Sequence, residues 1–187
     1  MVQVEDFVPH APVEPEVIAA YRDRVPAEIV EIWEQYGYGT FGEGFIRVIN
    51  PGVYEAELGD RIGKTQGDGV AIPVMVTGLG DLITWEPSLN GLVVLMFRSN
   101  RGTGMGKVAT LLGLLKLDGS DYLSEKFGWD VFPEAAQQQG APAFRRVVHL
   151  CSPSFLGWTW HGRHPAEASD AVGYPGHGRP AGAHRAL

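Results

Sequence analysis

The clearest pattern in the chain is "VPAEIVEIWEQYG", where Ile29, Ile32, Trp33 and Tyr36 repeat at i, i+3, i+4 and i+7. That spacing draws an apolar stripe down one side of an α-helix, with Glu28, Glu31, Glu34 and Gln35 on the other. Pro26 opens the helix and Gly37 closes it, as proline suits a first turn and glycine a left-handed end. Core packing accounts for the aromatic stripe. Before it, after an acidic and Pro-rich lead, "EPEVIAAYRDR" predicts a short helix with Pro15 in its first turn.

After it, "YGYGTFGEG" reads as a tight glycine turn, "FIRVIN" as a strand, "NPG" as a turn and "VYEAELGDRIG" as a helix. "GVAIPVMVTG" and "DLITWE" predict two strands joined by a turn at 78–80, and Asn90-Gly91 signals a hairpin into "LVVLMFR". "KVATLLGLLK" suits strand or helix. "SDYLSEKFG" and "FPEAAQQQG" predict two short helices, each ending at a glycine. Helices and hairpins without regular βαβ alternation indicate an α+β fold, a mainly antiparallel sheet with the N-terminal helices packed on it. The expected organisation is one compact domain, residues 1–144, with two small lobes: a helical part to about 62 and a sheet-rich part over 63–144. An irregular, poorly ordered tail over 145–187 follows. The chain's 187 residues suit one such core.

Charge sharpens that division. The net −7 conceals 20 Asp and Glu against 10 Lys and Arg in residues 1–144, and five Arg, no Lys and two acids in residues 145–187. A nucleic-acid binder needs a basic footprint, and the body is the reverse of one. An acidic body suits a basic partner. No apolar run approaches the roughly 20 residues of a membrane span, and the N-terminus lacks the basic start and apolar core of a signal peptide. Cys151 is the single cysteine, which excludes an internal disulfide and a multi-cysteine zinc site. The expectation is a cytoplasmic protein.

Candidate chemistry is thin. "RGTGMGKV" invites comparison with a phosphate loop, but Arg101 stands where the first glycine belongs and Val108 where the Ser or Thr that would hold magnesium belongs. A mobile loop after a hairpin strand accounts for it better. His161 and His164, with Cys151 upstream, lie in a stretch too poor in apolar periodicity to orient zinc ligands. Asp81 sits at a strand entry, where turn capping is the usual role. No nucleophile–base arrangement with an orienting group is present, so neither an enzyme nor a cofactor is expected. Two rivals stand beside that reading: a phosphate- or nucleotide-binding enzyme using the glycine loop 102–107 and Lys107, and a general protein-binding adaptor.

The body resembles the GAD-like family of bacterial type VI secretion immunity proteins. The resemblance rests on the helix opened by Pro26 with Trp33, Tyr36-Gly37 and Gly39, then Gly44, then the strand ending Asn50-Pro51. It resumes at "GLGDLITW", with the Gly80-Asp81 pair before a strand bearing Trp85, and covers roughly residues 10 to 144. It implies a protein that binds and neutralises a secreted toxin without catalysis and has no direct contact with nucleic acid or membrane. A basic, nuclease-type toxin domain suits the acidic body. The candidate toxin-binding residues are Glu55, Glu57 and Asp60 on the third helix, with Arg101 and Lys107 in the 99–107 loop.

Family members usually end in a segment like E-x-F-x-F-x-P-x-L-x-L-G-G, where this chain has "RRVVHLCSPSFLGW". Reading the possible codons of residues 145–159 one base later permits Asp-Glu-Trp-Phe-Thr-Phe-Val-Pro-Leu-Leu-Ser-Leu-Gly-Gly, and the charge break falls at the same point. The tail is therefore read as the family's last core strand translated out of frame, and its Cys and His residues as no site.

Overall fold

Four-residue loops lay out most of this fold. In a computed structural model, which describes residues 1–58, 62 and 69–139, seven strands form one antiparallel sheet in strict chain order. They are β1 (Val8–Ala11), β2 (Tyr38–Phe41), β3 (Ile46–Val48), β4 (Ile72–Thr77), β5 (Leu82–Glu86), β6 (Gly91–Met96) and β7 (Arg101–Gly106). The hairpin loops 42–45, 78–81, 87–90 and 97–100 each contain a residue of positive φ, among them Gly44, Gly80, Asn90 and Asn100. Such residues let a short loop reverse the chain without strain at Cβ. The helices are α1 (Pro15–Tyr21), α2 (Ala27–Gln35), α3 (Pro51–Leu58), α4 (Val108–Phe127) and α5 (Val131–Gln139). This is the expected α+β architecture.

Several elements depart from the sequence reading. The lead contains β1, whose Pro9 is tolerable because β1 is an edge strand and needs no ladder donor there. The "YGYGTFGEG" stretch contains strand β2, with Gly39 inside it, and the turn, with Gly42 and Gly44, comes only at 42–45. Pro51 begins α3 rather than a turn. The expected loop at 99–107 is edge strand β7, paired along β6. "KVATLLGLLK" is helical, and it runs on through "SDYLSEKF" as the 20-residue α4, closed by Gly128 in the left-handed region. Strands β1 to β3 precede residue 62, so the sheet does not begin at 63. The tail 145–187, with its proposed change of frame, lies outside the described residues.

The core is two-sided. Along β4 and β5, Met75 and Ile83 enter one hydrophobic cluster and Val76 and Leu82 the other, as strand alternation requires. The larger cluster packs one face of the sheet against α2, α4 and α5 through residues such as Ile32, Trp33, Leu111, Phe127 and Phe132. The smaller lies under Tyr54 and Leu58 of α3. Both clusters draw residues from either side of position 62, so the two cores belong to the two faces of the sheet and do not follow the expected division into a helical and a sheet-rich lobe. Double burial also explains the near-continuous apolar runs of β4 to β6.

Candidate functional site

The residues that carried the family resemblance are scaffold. Pro26 caps α2, and Trp33 is 2% exposed, edge-on to Tyr21 with ring centroids 6.3 Å apart. Burying such a side chain contributes about 3 kcal/mol. Tyr36 is half-buried; its hydroxyl accepts the Val4 N–H at 3.2 Å and donates to the Val2 carbonyl at 3.4 Å, holding the N-terminal segment. Gly37 has φ +76°, and a Cβ on it would strike the Ala11 carbonyl; a Cβ on Gly39 would strike the Phe7 ring. These two glycines are what let β1 approach β2. Asn50 accepts the Gly52 N–H at 2.9 Å, shaping the entry to α3 at Pro51. Trp85 lies in the main core.

Asp81 does more than shape a turn. It is fully buried, and its carboxylate accepts two hydrogen bonds from Arg98, at 2.7 and 3.3 Å. Arg98 also donates to the Phe127 carbonyl at 3.0 Å, so the pair ties the β4–β5 turn to the C-terminus of α4. Burial raises the Asp81 pKa above the ordinary carboxylate range, and Arg98 pulls part of that rise back. A second set of buried polar groups, Arg47, Thr84 and Glu86, shares the sheet with the smaller cluster. Burial lowers the Arg47 pKa to about 10, opposed by nearby Tyr54, so Arg47 stays charged at neutral pH. The sequence reading passed over Arg47 and Arg98, although a charge inside each of the strand-like runs "FIRVIN" and "LVVLMFR" was the available signal.

The described members of the predicted toxin-binding set lie on different elements, Glu55 and Glu57 on α3, Arg101 at the start of β7 and Lys107 at the N-cap of α4. Glu55 is engaged within the fold, accepting from the Tyr21 hydroxyl at 2.5 Å and from Arg24 at 3.0 Å. The Tyr21 pKa is pushed up to about 12 by burial and then by Glu55. Glu57 is exposed and borders a hollow of about 410 Å³ between α1 and α3, floored by Val17, Ala20 and Val53. Asp60 lies outside the described residues. Arg101 and Lys107 are both exposed, but one starts β7 and the other caps α4, about 20 Å of extended chain apart. The intervening glycines pair with β6 and are not curled into a phosphate cradle.

A different concavity gathers the charge. Between the N-terminal segment, the start of α2, the β2–β3 turn and the first half of α4 runs a groove of about 840 Å³. Val2, Phe41, Leu112, Leu115 and Leu123 give it an apolar floor. Glu5, Asp6, Glu28, Glu31 and Glu43 line it against Lys116, the one basic side chain among its described lining residues. Asp6 accepts the N–H groups of Gly42 and Glu43 at 3.0 and 2.6 Å, Glu31 accepts that of Val2 at 2.7 Å, and Glu5 pairs with Lys116 at 3.0 Å. The carboxylates of Glu28 and Glu43 hold no hydrogen bond or ion pair among the described residues. Glu28 and Glu31 were legible as the polar side of α2. Their convergence with Glu5, Asp6 and Glu43 depends on tertiary packing.

Among the described residues no helix is long and apolar enough to cross a membrane, and no group of three or more His, Cys, Asp or Glu could hold a metal ion. A family model described as the GAD-like domain matches residues 1–97. A crystal structure of Atu4351 from Agrobacterium tumefaciens is 21% identical over 73% of this chain, with a TM-score of 0.42. The chain covers 60% of that protein's length. No curated protein matches the chain.

Proposed function

Since the chain belongs to the GAD-like family, matched over residues 1–97, we propose that it is an immunity protein. It occludes a cognate type VI secreted toxin by stoichiometric binding and without catalysis, in the cytoplasm of the producing cell. The observation that carries this reading is the excess of carboxylates on the body, 20 acidic against 10 basic residues before position 145. An ordered acidic surface speeds encounter with a basic partner and disfavours like-charged ones. The toxin domain is accordingly a cationic one, of the kind that handles nucleic acid or nucleotides.

Co-expression with the toxin encoded beside it tests the proposal. The expected result is rescue of growth and a one-to-one complex whose association slows between low and physiological salt, since screening at about 8 Å removes long-range steering. Failure of both rescue and co-purification, in the present reading frame and in the frame shifted at codon 145, overturns it.

A further inference from the structure

Resting on that reading, we infer that the groove between α2 and α4 is the surface that receives the partner, and that its occupant is a cationic amphipathic segment of the partner protein. The floor offers apolar contact through Val2, Leu112 and Leu115, all only partly buried. The rim offers Glu28 and Glu43, whose charges are not spent on the described fold. A segment carrying apolar side chains on one side and Lys or Arg on its flanks satisfies both. A polyanion or an acidic peptide is repelled by the rim, and a second copy of the chain brings the same negative rim.

Gly113 supports the assignment from α4. It lines the groove in the middle of a helix, where glycine is disfavoured by about 1 kcal/mol relative to alanine. It is exposed, and a Cβ built on it meets nothing within 4 Å. Nothing within the described fold requires glycine there, whereas a docked segment can use the bare backbone for close approach. Position 113 therefore separates folding from binding: filling it leaves the fold intact and blocks the groove.

The experiment uses the full chain and a fluorescein-labelled amphipathic Leu/Lys peptide, read by anisotropy. Gly113→Leu and the pair Glu28→Lys/Glu43→Lys should each weaken the peptide at least tenfold, with Gly113→Leu melting no lower than the parent. The control reversal Glu16→Lys/Asp23→Lys, at two exposed carboxylates that do not line the groove, should change affinity less than threefold. Equal loss in groove and control variants means diffuse attraction and overturns the assignment, as does no peptide binding at all. Tighter peptide binding after Arg163, Arg179 and Arg185 are changed to Gln makes the chain's own tail the occupant, and a dimer dissolved by Glu28→Lys/Glu43→Lys makes it a second copy; either also overturns it. Toxin capture by the parent and equally by Gly113→Leu rejects the groove but leaves the immunity reading standing. Capture by neither rejects the immunity reading instead.

Discussion

At Asp81 a buried carboxylate faces a guanidinium that remains partly in water, Arg98 being 36% exposed. The two partners are therefore unequal. Arg98→Met strands a buried charge and should cost about 2–3 kcal/mol near neutral pH, whereas Asp81→Asn leaves a neutral amide beside a solvated cation and should cost less. Because folding raises the Asp81 pKa, the folded state binds that proton more tightly than the unfolded state. The stability associated with protonation is present at low pH and lost as pH rises from the ordinary carboxylate value through the folded one. Without Arg98 the folded value climbs further, so the penalty of Arg98→Met should shrink as pH falls toward about 4. Urea denaturation at both pH values measures it, and an equal penalty at each would show that the ion pair is not its source. The Gly80-Asp81 pair was visible in the sequence as a turn. Its partner was not, because a residue seventeen positions away is brought to it by the β5–β6 and β6–β7 hairpins and not by any local pattern.

At the scale of elements, α5 docks through Phe132, whose ring stands edge-on to Phe45 with centroids 5.1 Å apart and lies directly over Gly78. A Cβ at position 78 would overlap that ring. Gly78→Ala should cost about 1–3 kcal/mol as overpacking does, and should speed amide exchange in α5 before the rest of the fold. Combining it with Phe132→Leu, which vacates the space, should cost less than the two changes summed. Additive urea midpoints would show that the two positions are not coupled. The elements with strong periodicity, α1, α2 and β4 to β6, were legible in sequence. The two edge strands were not, and for one physical reason: neither carries a full apolar face. In β1, Pro9 and three exposed side chains mask a four-residue strand. In β7 Gly102, Gly104 and Gly106 alternate with Thr103 and Met105, and only Met105 is buried, so the alternation that marks a strand rests on a single core side chain. The length of α4 was missed because "KVATLLGLLK" suits strand as well as helix and is separated from "SDYLSEKF" by "LDG", so no single periodic run spans the element.

For the whole molecule, tyrosine ionisation reports on integrity. Burial, with help from Glu55 and Glu14, raises Tyr21 and Tyr38, and burial raises Tyr54; Tyr21 reaches about 12 against an ordinary 10.0. Raised values mean that these hydroxyls stabilise the fold below about pH 10 and that the contribution is lost as pH climbs from there to about 12. Tyrosinate absorbance of the native protein should therefore lag that of the urea-unfolded chain and then rise together with loss of circular dichroism. Coincident titration curves for the two states would refute the burial of these hydroxyls. The acidity of the body was fully legible from composition, but its focus in one groove was not, since Glu5, Glu28 and Glu43 meet only after the N-terminal segment, α2 and the β2–β3 turn converge. The chain-ordered sheet has a consequence for synthesis on the ribosome. Each described strand after β1 pairs with the one translated immediately before it, and four of these six pairings close across only four residues. Short closures carry little entropic cost and give fast local zipping. All seven described strands and α4 are encoded before codon 128, so a nascent chain has these strands in hand before ribosomes reach codon 145.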